Sequence, residues 1–177
     1  MKAIQTGIDG LVLIESRIFE DARGHFLEVY KEPVFEGLGL PKVWVQDNVS
    51  VSHKGVVRGL HYQIAPAAQA KLVRCLQGSV FDVAVDLRKG SPTFGEWFGV
   101  TLKPTQQALF IPAGFAHGFQ ALEAKSMIYY KCDALYSPQH EKGFRYDDPE
   151  LGIKWPLPAD GVSEKDLQLP SFKDFKG

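Results

Sequence analysis

Short runs rich in β-branched and aromatic residues recur along the whole chain, each closed by a turn signal. That spacing restricts the chain to an all-β barrel or sandwich. The strand candidates are Leu11–Phe19, His25–Tyr30, Val43–His53, Val56–Tyr62, Leu72–Leu76, Val80–Leu87, Trp97–Leu102, Ala108–Ile111, Ala116–Ala121 and Ser126–Cys132. Turns fall around Gly24, Gly55, Gly78, Gly90 and Gly114. Only Glu32–Leu38 and a stretch near Ser163–Leu167 look helical, and Ser163 is placed to cap the second. No repeat, low-complexity tract or long linker divides the chain, so residues 1–177 are expected to form a single domain. Within it, 1–42 would hold N-terminal strands and the short helix, 43–135 the barrel core, and 136–177 a proline-bearing extension wrapping the barrel. The strands before Tyr30 fall outside the central pattern. Pairing with a neighbouring subunit would hide their open edge, which predicts a homodimer.

Composition narrows the function classes. With 177 residues, 45% hydrophobic and 23% charged, the chain can bury a sizeable core without staples. A net charge of −1 provides no electrostatic reason to bind nucleic acid or an anionic membrane. No run approaches the apolar length that spans a bilayer, and the first residues lack a basic region followed by an apolar core. Cys75 and Cys132 lie in apolar strand-like runs and read as reduced core residues, so a cytoplasmic location is expected.

Two segments carry the chemistry. Residues 55–63 read GVVRGLHYQ, and residues 111–119 read IPAGFAHGF. The second contains Pro-x-Gly-x-x-His and so resembles half of the signature of cupin-type double-stranded β-barrels, the jelly-roll class. The first stands where such a barrel supplies His-x-His and a carboxylate for a metal. It offers His61 and Gln63, with Lys71 beyond. A divalent metal needs several converging N, O or S donors, and an ammonium beside it is repulsive. The expectation is a metal-free acid–base site.

Further blocks extend the resemblance. DARGHFLE (21–28), QDN (46–48), the 55–63 segment, KLVRC (71–75), FDVAVDLR (81–88), SPTFG (91–95), the 111–119 segment, YKC (130–132) and SEKD (163–166) follow one another in the order seen in dTDP-4-dehydrorhamnose 3,5-epimerases. The chain is similar to that family over nearly its whole length. The resemblance implies a cofactor-free enzyme that removes and returns protons at C5 and C3 of a nucleotide-linked 4-keto-6-deoxy sugar, on the way to dTDP-L-rhamnose. It assigns His61 as base, Tyr130 as proton donor on the other face, and Lys71 as the cation at the developing enolate oxygen. Asp166 is the implied partner of the His61 ring, with Asp82 the competing carboxylate because it lies in an apolar strand. Arg23, Arg58, His117 and Lys165 match positions near the diphosphate. Glu28, Gln46, Asp47, Asn48, Tyr136 and Glu141 match polar or aromatic positions around base and sugar.

Strand geometry constrains these assignments. Tyr129 and Tyr130 are adjacent and face opposite sides, so only one enters the barrel; the resemblance selects Tyr130. Arg58 and His61 are three apart and would diverge unless Gly59 allows a bulge. Position 135 is Leu where the family often has an aromatic, and Gln139-His140 precede Glu141 in a variable turn; both bear on sugar or nucleotide preference more than on the residue assigned as base. The alternatives are an epimerase inverting only C3 or C5 of a related sugar, a catalytically silent sugar- or nucleotide-binding cupin, and a metal-dependent cupin oxygenase.

Overall fold

The chain is known from a computed structural model that describes residues 1–175. Its first strands are β1 (Lys2–Gln5), β2 (Val12–Glu15), β3 (Ile18–Asp21) and β4 (Gly24–Leu27), followed by helix α1 (Glu32–Gly37). The central strands are β5 (Gln46–Ser52), β6 (Val57–Gln63), β7 (Lys71–Gln77), β8 (Val80–Asp86), β9 (Trp97–Leu102), β10 (Gln107–Ile111), β11 (Phe115–Ala121) and β12 (Ser126–Cys132). A short β13 (Glu141–Gly143) and the single-turn helix α2 (Glu164–Leu167) complete the set.

The strands pair antiparallel into a six-stranded sheet, β1-β2-β10-β7-β12-β5, and a five-stranded sheet, β13-β6-β11-β8-β9. β3 and β4 form a separate hairpin. The two large sheets pack face to face as a cupin-type jelly roll. Between them Val73, Cys75, Leu109, Ile111 and Ile128 meet Val80, Ala84, Leu102, Phe115 and Phe119. Burying each of the larger apolar side chains contributes roughly 1.5–3 kcal/mol.

Both sheets are also covered outside. Phe35 of α1, with Tyr30 and Trp44, packs on Val12, Ile14, Leu72 and Phe110. The segment after Gly143 lays Trp155, Phe172 and Phe175 over Leu60, Val83, Val85 and Ala116. β11 therefore has no exposed residue, and its sequence does not alternate apolar with polar.

The edges depart from the sequence reading. β1 and β13 were not expected, because edge strands of three or four residues such as KAIQ or EKG are too short for periodicity to register. The run Leu11–Phe19 splits into β2 and β3, and regular pairing in the Val43–His53 run starts only at Gln46. β2 joins the six-stranded sheet through β10, with Leu13 opposite Leu109, so this part of the N-terminal segment belongs to the barrel. Among the described residues no helix is long and apolar enough to cross a membrane.

Candidate active site

The inner faces of β5, β7 and β12 on one sheet, and of β6 and β11 on the other, enclose a cavity of about 520 Å³. Ser50, Arg58, His61, Lys71, His117 and Tyr130 reach it from the strands; Lys165 and Asp166 close it from α2. A smaller cavity of about 110 Å³ shares His61, Lys71 and Tyr130 and continues toward Gln46, Asn48, Tyr136 and Glu141. His61, Lys71 and Tyr130, to which the resemblance assigns the roles of base, cation and proton donor, thus line one space.

The convergence of Arg58 and His61 depends on Gly59. The β6–β11 ladder shifts register opposite this point, between His117 and Phe119. Gly59 has φ +116, where a Cβ would lie 2.7 Å from the Gly118 Cα. Only glycine fits that approach. The bulge turns Arg58 inward, where its Nε donates to Ser52 Oγ at 3.1 Å and its Nη2 to the Val51 carbonyl at 3.3 Å.

His61 Nε2 lies 2.7 Å from Asp166 Oδ1. The second carboxylate oxygen accepts from the Gly59 N–H at 3.2 Å, and Ser163 Oγ caps α2 by accepting from the Asp166 N–H at 3.1 Å. Burial would raise the Asp166 pKa, but the hydrogen bond and charge of His61 outweigh it and hold the carboxyl below its ordinary value. Of the two carboxylates considered for His61, the structure therefore pairs it with Asp166. Asp82 bonds His117 Nε2 at 2.9 Å instead, forming a second buried His–Asp pair beside the first. His117 and His61 are cross-strand partners on β11 and β6.

Lys71 makes no ion pair with a protein carboxylate among the described residues. Burial lowers its pKa, partly countered by the charges of Cys132, Asp82 and Glu141. Burial also raises the Tyr130 pKa, which keeps the phenol protonated at neutral pH. Tyr129 turns to the opposite face, where its hydroxyl accepts from Lys131 at 3.1 Å. Among the described residues no group of three or more His, Cys, Asp or Glu side chains could hold a metal. Gln63 is committed elsewhere: its amide donates to the Ala67 carbonyl at 2.7 Å and accepts from the Ser137 N–H at 2.7 Å.

Residues 5–174 match the family described as dTDP-4-dehydrorhamnose 3,5-epimerase. The chain belongs to that family. It is 48% identical, over 97% of its length and 94% of the other, to the dTDP-4-dehydrorhamnose 3,5-epimerase of Methanothermobacter thermautotrophicus. The crystal structure of the same enzyme from Elizabethkingia anophelis superposes with a TM-score of 0.95 at 46% identity, covering 98% of this chain and 97% of that one. A structure from Legionella pneumophila, solved in complex with dTDP-4-keto-L-rhamnose, gives a TM-score of 0.91 at 47% identity, covering 96% and 92%.

Not every epimerase-family position comes to the cavity in this chain. Asp47 lies between Gln46 and Asn48 on β5 and so faces outward, paired with Lys131 at 2.8 Å. Alternation, which separates Tyr129 from Tyr130, excludes Asp47 by the same rule. Arg23 and Glu28 line neither cavity. Arg23 sits at the tip of the β3–β4 hairpin, its side chain 90% exposed and paired with Asp21, and Glu28 pairs with Lys31. The hairpin is outside both large sheets.

Gln46 and Asn48 hydrogen-bond each other at 3.0 Å and line the smaller cavity. Glu141 accepts from the Tyr136 hydroxyl at 3.0 Å and from Lys165. Burial disfavours its ionisation, but these two partners and the charge of His61 hold its pKa below the usual value. Sequence reasoning missed Ser50, though it follows Gln46 and Asn48 at the same two-residue interval. It also missed Gly161 and Val162, which lie in irregular chain and carry no periodic signal.

Proposed function

We propose that this chain inverts C5 and C3 of dTDP-4-dehydro-6-deoxy-D-glucose, giving dTDP-4-dehydro-L-rhamnose without a cofactor. The observation that carries this is the meeting of His61, held by Asp166, with Tyr130 and Lys71 in one cavity. Asp166, ionised at neutral pH, accepts the Nε2 proton of His61 and leaves Nδ1 with the free lone pair. His61 removes the proton next to the C4 ketone, and the electron pair moves onto O4 as an enolate. The Lys71 ammonium, without a protein counter-charge bonded to it, stabilises that oxygen; charge acts strongly where water is excluded. The Tyr130 phenol then returns a proton to the carbon from the opposite face. Solvent takes the imidazolium proton and restores the phenol, and the cycle repeats at the second carbon. Arg58, His117 and Lys165 supply cationic or donor groups for the diphosphate.

The reading treats residues 1–177 as one epimerase domain and extends to a homodimer. A second copy would bring Arg23 and Glu28 on its β3–β4 hairpin to the nucleotide end of the cavity. The exposed Phe19, Phe26, Val49 and Val51 support such a contact, since apolar side chains of this size on hairpin and edge strand favour cover. The buried, unpaired Cys75 and Cys132 fit a reducing, cytoplasmic compartment.

Incubation with dTDP-4-keto-6-deoxyglucose in deuterium oxide tests the reaction. Label at both C3 and C5 is expected. Label at a single carbon would reduce the activity to a mono-epimerase, and the absence of label with bound nucleotide would leave only a binding protein.

A further inference from the structure

Between β12 and the 3-10 turn Pro138–His140, residues 133–137 are irregular and belong to no sheet. Leu135 and Tyr136 are 65% and 50% exposed, so apolar burial does little to hold them. Three glutamine side chains do that instead. Gln69 Nε2 donates to the Ala134 carbonyl at 2.6 Å, and Gln63 Nε2 to the Leu135 carbonyl at 3.2 Å. Gln46 Oε1 accepts from the Tyr136 N–H at 2.8 Å, and Gln63 Oε1 from the Ser137 N–H at 2.7 Å. Four successive backbone groups are thereby held. A second bond from Gln63 Nε2 to the Ala67 carbonyl ties the stretch to the loop leading into β7. The Gln63 amide is 7% exposed, and flipping it would set oxygen against two carbonyls, so its orientation is determined by its partners.

The ring presented by this clamp stands on the rim of the smaller cavity, beside His61, Lys71 and Tyr130. Its hydroxyl is tied to Glu141, which takes Lys165 at the wall of the larger cavity. An aromatic surface held in one place, half exposed at a cavity mouth, suits the flat face of a nucleobase. We infer that Gln63 and Gln69, with Gln46, are positioning residues that hold Tyr136 as a preformed stacking surface for the nucleotide end of the substrate. The inference rests on the reading that this chain takes a nucleotide-linked sugar. Pre-organisation of this kind strengthens binding by removing the ordering cost of the contact.

The test uses Gln63→Leu, Gln69→Leu, Tyr136→Ala and the Gln63→Leu/Tyr136→Ala double variant. Each is measured for dTDP affinity by calorimetry, for kcat and KM with dTDP-4-keto-6-deoxyglucose, and for thermal unfolding. Gln63→Leu is expected to raise KM and the dTDP Kd about tenfold while kcat changes less than about twofold, the pattern of a lost binding contact. In the Tyr136→Ala background the same change should have no further effect on Kd, since the glutamine acts through that ring. A Kd left at the wild-type value, a fall confined to kcat, or additive losses in the double variant would each overturn the clamp. If Gln63→Leu loses its cooperative melt, Gln69→Leu decides: a weaker dTDP affinity supports the proposal and an unchanged one overturns it. Should Tyr136→Ala bind dTDP normally, the assignment of Tyr136 to the nucleotide falls, and the clamp with it. Should it bind weakly while both glutamine variants bind normally, only the clamp falls.

Discussion

An imidazole serves as a base only if one nitrogen keeps its lone pair, and the 2.7 Å contact with Asp166 determines which one in His61. Replacing His61 by Asn should lower kcat by on the order of 10²–10⁴, the usual worth of a positioned base. Asp166→Asn should also lower it severely, because an amide can donate as well as accept and so permits the wrong tautomer. Initial rates on the natural substrate check both, and an Asp166→Asn enzyme with wild-type kcat would remove the carboxylate from the mechanism. Tyr130→Phe separates the two proton transfers. It should still exchange substrate hydrogen for solvent deuterium through His61, yet yield little inverted sugar. If exchange stops together with inversion, Tyr130 is not a donor acting after the base.

β6 and β8 show how backbone conformation and a buried charge fix an element's geometry and stability. At Gly59 the φ of +116 and the 2.7 Å approach to Gly118 leave no room for a side chain. Gly59→Ala should cost roughly 1–3 kcal/mol, read from the denaturant midpoint, and should re-aim Arg58 and His61 with loss of activity. At the end of β8, Asp86 is fully buried and accepts from Arg88 at 2.7 Å, Ser91 at 2.6 Å and Thr93 at 2.8 Å. Burial opposes its charge, but these donors prevail and hold the carboxyl well below the usual range. A group whose folded pKa is depressed stabilises the fold fully above its unfolded value, about 3.9, and loses that contribution as pH falls toward the folded value. Asp86→Asn should therefore destabilise by roughly 1–3 kcal/mol at neutral pH and flatten the loss of stability below about pH 4. Melting curves across that range would contradict this if variant and parent stayed parallel.

Across the whole molecule, two layers carry His61, Lys71 and Tyr130 while a separate hairpin holds Arg23. If a second copy completes each site, Arg23→Ala and His61→Asn homodimers should both be weak. Unfolded together and refolded as an equal mixture, they should recover about a quarter of wild-type activity, since half the dimers pair the two types and each of those has one intact site. No gain on mixing would mean that each chain works alone. The elements were largely legible: ten strand-like runs map onto β2 to β12, because runs of β-branched and aromatic residues leave a signature, buried in the barrel strands and exposed in the β3–β4 hairpin. The edge strands β1 and β13, four and three residues long, are too short to carry one and were silent.

Local periodicity is a property of short stretches of chain and was enough to determine the all-β class, while the family resemblance, carried by short motifs, singled out His61, Lys71 and Tyr130. Alternation along β5 was equally available to set Asp47 aside. Tertiary structure alone decided that Asp166, 105 residues from His61, rather than Asp82 meets it, and that three glutamines from β5, β6 and the loop before β7 close on one loop. The reason is physical. A hydrogen bond is made or lost within a few tenths of an ångström, and distances that fine between remote residues depend on how both sheets pack rather than on any local run.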